Sequence, residues 1–254
     1  MTDPQRADEL SERLSAVHQR IDQAVLGSGR TDKPRLIVVT KYFPASDLRI
    51  LAALGVTEMG ESRDQEAAAK AQELADLGVR WHFIGQLQSN KARSVVRYAH
   101  AVHSVDRAPL VAALGKALAN RRTEPGQDTD STSAAKALAC FIQVDLSTGD
   151  SRAATISGHQ RGGAAPTDVV ALGRLVQATD GLSLAGVMAV APLGRDPVAA
   201  FGELAEISAT LRGEFPAATG ISAGMSGDLE AAVAAGATHL RIGSQVLGER
   251  PPLR

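Results

Sequence analysis

Apolar residues recur at two spacings along this chain, and the two spacings take turns. Leu10, Leu14, Val17, Ile21 and Val25 fall three and four residues apart, the stripe of an amphipathic helix over 4–25. An unbroken, β-branched run follows at 36–39, short enough for a buried strand. The same exchange repeats downstream, with strands predicted at 58–60, 79–85, 101–105, 139–146, 182–191, 218–224 and 238–243. Helical runs at 44–54, 63–77, 90–98, 109–120, 166–179, 197–211 and 228–235 separate them. Connections of that length exclude hairpins and call for parallel pairing. Eight such strands predict a single (β/α)8 barrel of TIM type spanning 1–254, with an extra helix ahead of the first strand; an open, doubly wound sheet is the alternative.

Two segments break the rhythm. Residues 121–136 (RRTEPGQDTDSTSAAK) lack aliphatic side chains and predict a flexible surface insertion. Residues 159–166 (HQRGGAAP) form a second flexible piece after the fifth strand, readable as a lid or as a plain linker.

With 27 Lys and Arg against 28 Asp and Glu, the charge is nearly balanced, which argues against capture of nucleic acid or an anionic membrane. The opening MTDPQRADELSERL is charged, and no apolar run is long enough to span a bilayer, so a soluble, cytoplasmic chain is expected. Cys140 is the only cysteine, which leaves no internal disulfide and no thiolate metal cluster; its apolar neighbours predict a buried thiol. A barrel that closes on itself predicts a monomer.

In a parallel barrel, chemistry gathers at the C-terminal ends of the strands. Lys41 stands where the first strand leaves the core, followed by Pro44 opening a helix. Residues 222–227 (SAGMSG) end the seventh strand, with Ser226 expected to cap the next helix and Asp228 and Glu230 in its first turn. Gly243 and Ser244 follow the eighth strand. Small residues in these two adjacent loops let backbone N–H groups approach a phosphate. Arg241, between Leu240 and Ile242, points opposite to both and must meet a carboxylate or a ligand atom. His82 and His239 stand apart from other ligand-type residues and are expected in core or hydrogen-bonding roles. A lysine able to capture an aldehyde, a phosphate cradle and a buried cation together describe a site for pyridoxal 5′-phosphate (PLP).

Several strings sharpen this reading. VVTK (38–41), MGESRDQE (59–66), WHFIGQLQSNKAR (81–93), GVMAVAP (186–192) and SAGMSGDLEAAVAAGATHLRIGSQVLGER (222–250) resemble, in order, the pyridoxal phosphate homeostasis protein family. The resemblance implies a barrel like the alanine racemase N-terminal domain, PLP fold type III, with PLP held as a Schiff base (internal aldimine) on Lys41. It further implies that Arg241 faces the pyridine nitrogen, that Ser226, Gly243 and Ser244 hold the phosphate, and that Met225 and Met188 line the pocket. Ser62, His82 and Ser222 complete the expected binding set.

A cation beside the ring nitrogen disfavours its protonation and weakens the ring as an electron sink. With the chain ending soon after the eighth strand, the resemblance implies a protein that binds PLP and delivers it to apo-enzymes, with no established reaction. An active racemase-like enzyme and a barrel for another phosphorylated metabolite are the alternatives. Ser62 replaces a usual asparagine, Gln86 a proline, Ala223 a methionine and Ser244 a threonine; Ser62 and Ser244 keep hydrogen-bonding ability. Tyr42 is expected to project away from Lys41 by strand alternation. Lys91 and Arg93 mark a possible second, weaker resting place for PLP.

Overall fold

Eight strands run parallel and close in sequence order: β1 (Arg35–Val39), β2 (Glu58–Glu61), β3 (Arg80–Phe83), β4 (Ala99–Val105), β5 (Leu138–Gln143), β6 (Leu182–Met188), β7 (Gly220–Ser222) and β8 (His239–Ile242). They come from a computed structural model that describes residues 3–124, 137–147 and 162–249. Closure is made by β1 against β8, with Ile37 opposite Arg241 and Val38 opposite Ile242. The helices α2 (Ala45–Ala53), α3 (Asp64–Glu73), α4 (Ala92–Val95), α5 (Ala108–Arg122), α6 (Val169–Gln177), α7 (Pro197–Glu214), α8 (Leu229–Ala234) and α9 (Ser244–Leu247) follow the strands in turn. The α/β barrel expected from the sequence is therefore the fold.

The additional helix, α1 (Pro4–Gly27), begins at Asp3, whose side chain accepts the Gln5 N–H, and has proline in its first turn. Its stripe of Leu10, Leu14, Val17 and Ile21 is buried in the layer between strands and helices. Arg6 adds a hydrogen bond from its guanidinium to the Leu247 carbonyl at 2.8 Å and an ion pair with Asp47 at 2.7 Å, joining α1 to α9 and α2. None of the helices among the described residues is long and apolar enough to cross a membrane. Cys140 is buried as expected, and burial pushes its thiol up to about 12.

Several boundaries differ from the sequence reading. The 90–98 helix is a 3-10 turn, Ser89–Lys91, running into the single turn of α4, because β4 starts at Ala99 rather than 101 and leaves no room for more. β6 stops at Met188, where its neighbour β7 ends at Ser222. β5 stops at Gln143, and Val144 makes an isolated bridge with Ala164. Within the 121–136 segment, Arg121 and Arg122 belong to α5; residues 125–136, like 159–161 of the second flexible piece, lie outside the described residues.

β1 ends at Val39, so Lys41 sits on a turn rather than on the strand. Tyr42 takes φ 74°, a left-handed conformation that costs a non-glycine residue of order 1–3 kcal/mol. Strand alternation therefore does not direct Tyr42, contrary to expectation; its ring lies 4.7 Å from the Arg63 guanidinium.

A buried charge cluster holds this turn. The Lys70 ammonium on α3 donates to the Thr40 carbonyl at 2.8 Å, to Glu61 Oε1 at 2.7 Å and to Glu66 Oε1 at 2.6 Å. The Thr40 hydroxyl donates to Glu61 Oε1 at 2.7 Å, and the Tyr42 N–H to Glu66 Oε1 at 2.6 Å. The residues on both sides of Lys41 are thus tied to one ammonium. Burial pushes the Glu61 carboxyl upward, opposed by the Lys70 charge and hydrogen bond. At the end of β3, Gly85 passes so close to β2 that an added Cβ would stand 2.2 Å from the Ser62 carbonyl oxygen.

Two expectations follow from these contacts. Lys70→Met leaves the Glu61 carboxylate buried and unpaired and should cost about 3–5 kcal/mol in urea unfolding, most of it recovered in the Lys70→Met/Glu61→Gln double variant. Gly85→Ala must displace the Ser62 backbone and should cost about 2 kcal/mol or more, read as a fall of roughly 4–8 °C in Tm by calorimetry.

Candidate functional site

Closure of β1 on β8 sets the Lys41 turn beside the loops that follow β7 and β8. Between them lies an open cavity of about 300 Å³, lined by Lys41, Met225, Ser226, Gly227, Arg241, Gly243 and Ser244, with Val39, Phe43 and Ile84 as its apolar side. Residues far apart in sequence that were assigned to one site thus share one cavity. Met225 is partly exposed at its mouth.

The wall opposite Lys41 is built from small residues and backbone. Gly224, at φ 92°, turns the chain out of β7, and an added Cβ there would stand 2.7 Å from Ala232 and 2.8 Å from Leu240. Gly243 packs so near β1 that a Cβ would meet the Val39 carbonyl at 3.1 Å, whereas at Gly227 a Cβ would enter open space. Among the described residues, the N–H groups of Ser226, Gly227, Ser244 and Gln245 donate to no protein acceptor, nor do the Ser226 and Ser244 hydroxyls. Such a wall presents donors and no negative charge, which is the chemistry an oxyanion requires.

Ser226 does not cap α8 as expected. A turn over 226–228 precedes the helix, and the Asp228 carboxylate accepts the Met225 N–H at 2.6 Å, so aspartate organises the entry and the serine hydroxyl is left to the cavity. Sequence reasoning also missed Arg20 of α1. Its guanidinium donates to the Ser226 carbonyl at 2.7 Å and to the Gln245 side-chain oxygen at 3.0 Å, and pairs with Glu230 at 2.6 Å. One side chain thereby fastens both cavity loops to α1. No local signal marks Arg20, because its partners lie more than 200 residues away.

Arg241 forms the floor. It points into the barrel, buried, and donates to Ser222 Oγ at 2.7 Å and to the Ala189 carbonyl at 2.9 Å. No carboxylate among the described residues lies within ion-pair distance of it, so of the two partners expected from the sequence, the carboxylate is absent. Burial without such a partner lowers its guanidinium to about 10.

The remaining expected residues lie outside the cavity lining. Ser222 is directly behind Arg241, and His82 is deeper in the barrel, against Glu58 and His103. Met188 is buried in a small interior cluster with Ala101 and Phe141. Ser62 and Gln86 line a neighbouring cleft of about 700 Å³ instead, together with Lys91, which lies 3.9 Å from Asp64. Arg93 points elsewhere, paired with Glu124 at 3.1 Å.

Comparison with known proteins gives the chain its family. Residues 13–251 match the family described as alanine racemase, N-terminal domain. The pyridoxal phosphate homeostasis protein of Mycobacterium tuberculosis is 40% identical over 261 residues, covering 97% of this chain and 95% of that protein. Its counterpart in Corynebacterium glutamicum is 40% identical over 233 residues, covering 91% and 98%. Among solved structures, PipY of Synechococcus elongatus with PLP bound aligns with a TM-score of 0.73 at 30% identity, covering 94% of this chain and all of that one. Sequence and barrel agree: the chain belongs to the pyridoxal phosphate homeostasis protein family, built on the alanine racemase N-terminal fold.

Proposed function

We propose that this chain binds PLP through Lys41 and acts in PLP homeostasis, holding the cofactor and giving it up to apo-enzymes. The observation that carries the reading is the convergence on one cavity of a lysine amine, two donor-rich loops and a buried guanidinium. PLP offers an aldehyde that an amine captures reversibly with loss of water, and a phosphate that binds to backbone and hydroxyl donors. The residues present fit both ends. Lys41 stands on a turn fixed by Lys70, Glu61 and Glu66. Ser226, Gly227 and Ser244 offer donors with no competing protein acceptor among the described residues.

Arg241 supports binding over turnover. In the position the family assigns it, a guanidinium facing the ring nitrogen opposes protonation there and leaves the ring a poor sink for a developing carbanion. It binds and orients without promoting proton abstraction. The family name and the PLP-bound PipY structure belong to relatives and support the same reading for this chain.

The first test is to incubate the purified protein with PLP, record the visible spectrum, reduce with borohydride and map the label. A visible band that reduction removes, with the pyridoxyl mass on Lys41 and neither in Lys41→Ala, is the expected result. Label scattered over surface lysines would overturn the reading in favour of a barrel for another phosphorylated metabolite, and measurable racemisation by the loaded protein would favour an enzyme. Ser226→Ala, which removes one hydroxyl donor, should weaken PLP binding roughly 10- to 100-fold by fluorescence titration, since a hydrogen bond to a charged group contributes about 1.5–3 kcal/mol.

A further inference from the structure

Barrels of this type fill their interior with branched aliphatic side chains. This one places Glu58, His82, His103, Ser222, His239 and Arg241 there, and four of them continue the bonding of Arg241 across the barrel. Arg241 donates to Ser222 Oγ at 2.7 Å, and Ser222 Oγ lies 2.9 Å from His103 Nδ1. His103 Nε2 lies 2.9 Å from His82 Nδ1, and His82 Nε2 lies 2.6 Å from Glu58 Oε2. Every member is at most 5% exposed. Yet the two ends reach different cavities: Arg241 the one beside Lys41, and Glu58 one of about 410 Å³ at the opposite end of the barrel, shared with His18, Arg35 and Arg80.

Proton counting gives the chain a direction. Burial pushes the Glu58 carboxyl up, but the hydrogen bond from His82 and the ion pair with Arg80 outweigh it and hold it below its ordinary range, so Glu58 is an acceptor. His82 therefore carries its proton on Nε2. In the neutral ring, His82 Nδ1 accepts, and His103 must donate from Nε2. Burial, with the Arg241 charge nearby, holds His103 well below its ordinary range; it is neutral, and its Nδ1 accepts the Ser222 hydroxyl proton. Ser222 keeps a lone pair for Arg241. Each donor then meets one acceptor, from guanidinium to carboxylate. Were His82 doubly protonated, His103 would carry its proton on Nδ1, Ser222 Oγ would face two donors, and the serine proton would lose its acceptor.

We propose that Glu58, His82, His103 and Ser222 are positioning residues for Arg241, forming a one-way hydrogen-bonded chain that anchors the guanidinium and gives it a counter-charge at the far end of the barrel. This explains how a cation is buried without an adjacent carboxylate. The charged and titratable groups around the chain are Arg35 and Arg80 beside Glu58, His100 at 5.7 Å from the His82 ring, His239 at 6.2 Å from the His103 ring, and Asp228, which acts on Arg241. Burial lowers His239 to about 4, so it adds no charge near neutral pH. Phe141 stacks on His103 at 4.2 Å and fixes its ring plane. The inference rests on the PLP reading only for the identity of the ring that Arg241 faces.

The test has one readout without PLP and one with it. In the cofactor-free full chain labelled with 15N-histidine, the ring shifts of His82 and His103 should report Nε2–H tautomers for both at about pH 8. Ser222→Ala should shift the His103 signals, and Ser222→Thr should restore them. In PLP-loaded protein, Glu58→Gln should move the pH midpoint of the visible band by at least about half a unit, although the change is made at the opposite end of the barrel. An Nδ1–H tautomer at His103, or ring shifts indifferent to Ser222→Ala, overturns the chain even if Glu58→Gln fails to fold. A band midpoint unmoved in a folded Glu58→Gln protein overturns the coupling. Failure of Lys41 to take the borohydride label defeats the PLP reading instead, and the cofactor-free tautomers still decide the chain.

Discussion

Everything at the site depends on the pairing of β1 with β8. Four register pairs, from Arg35 opposite His239 to Val38 opposite Ile242, bring the first strand of the barrel against the last. Without them, Lys41 would stand on one edge of an open sheet, with Ser226 and Ser244 on the other. The close fit of Gly243 against the Val39 carbonyl sets how near the two ends approach. Backbone pairing thus determines the distance between the amine and the donor-rich wall, and the side chains only refine it.

Refinement falls to buried polar groups, which are costly unless fully satisfied. The protein pairs these groups in two ways, although Glu61 Oε2 and Glu58 Oε1 accept no hydrogen bond among the described residues. Around Lys41 the solution is compact: one ammonium, two carboxylates and a threonine hydroxyl close on each other within α3, β2 and the turn. Beneath Arg241 it is extended, with the balancing carboxylate removed to the other end of the barrel. The compact cluster fixes a backbone. The extended one leaves the guanidinium's outer face open toward the cavity.

The sequence made the architecture legible because period-two and period-3.6 patterns are local properties, and here they follow each other along the chain apart from the two segments that break the rhythm. Lys41, Arg241 and the two glycine–serine loops were legible for a related reason: a strand end is a place readable from pattern, and chemistry at strand ends is a rule of the fold. What escaped was pairwise and distant. Nothing local distinguishes Lys70 from other helix lysines, and its burial depends on where Glu61 and Thr40 end up. The cap was misread because Ser226 and Asp228 both qualify as capping residues, and only the backbone path decides between them. His82 was expected in a core or hydrogen-bonding role, but its partner His103 became visible only in three dimensions.

Arg20 carries one more implication, for the order in which the molecule is made. Its partners Ser226 and Gln245 lie 206 and 225 residues further along the chain, so the two cavity loops are fastened in part by an element synthesised long before them. A ribosome-bound fragment lacking β8 has Lys41 and Ser226 but neither Arg241 and Ser244 nor the strand pairing that closes the barrel beside Lys41. Ligand that needs the whole site therefore binds only the finished barrel, and by mass action stabilises that state against every truncated or partly opened form.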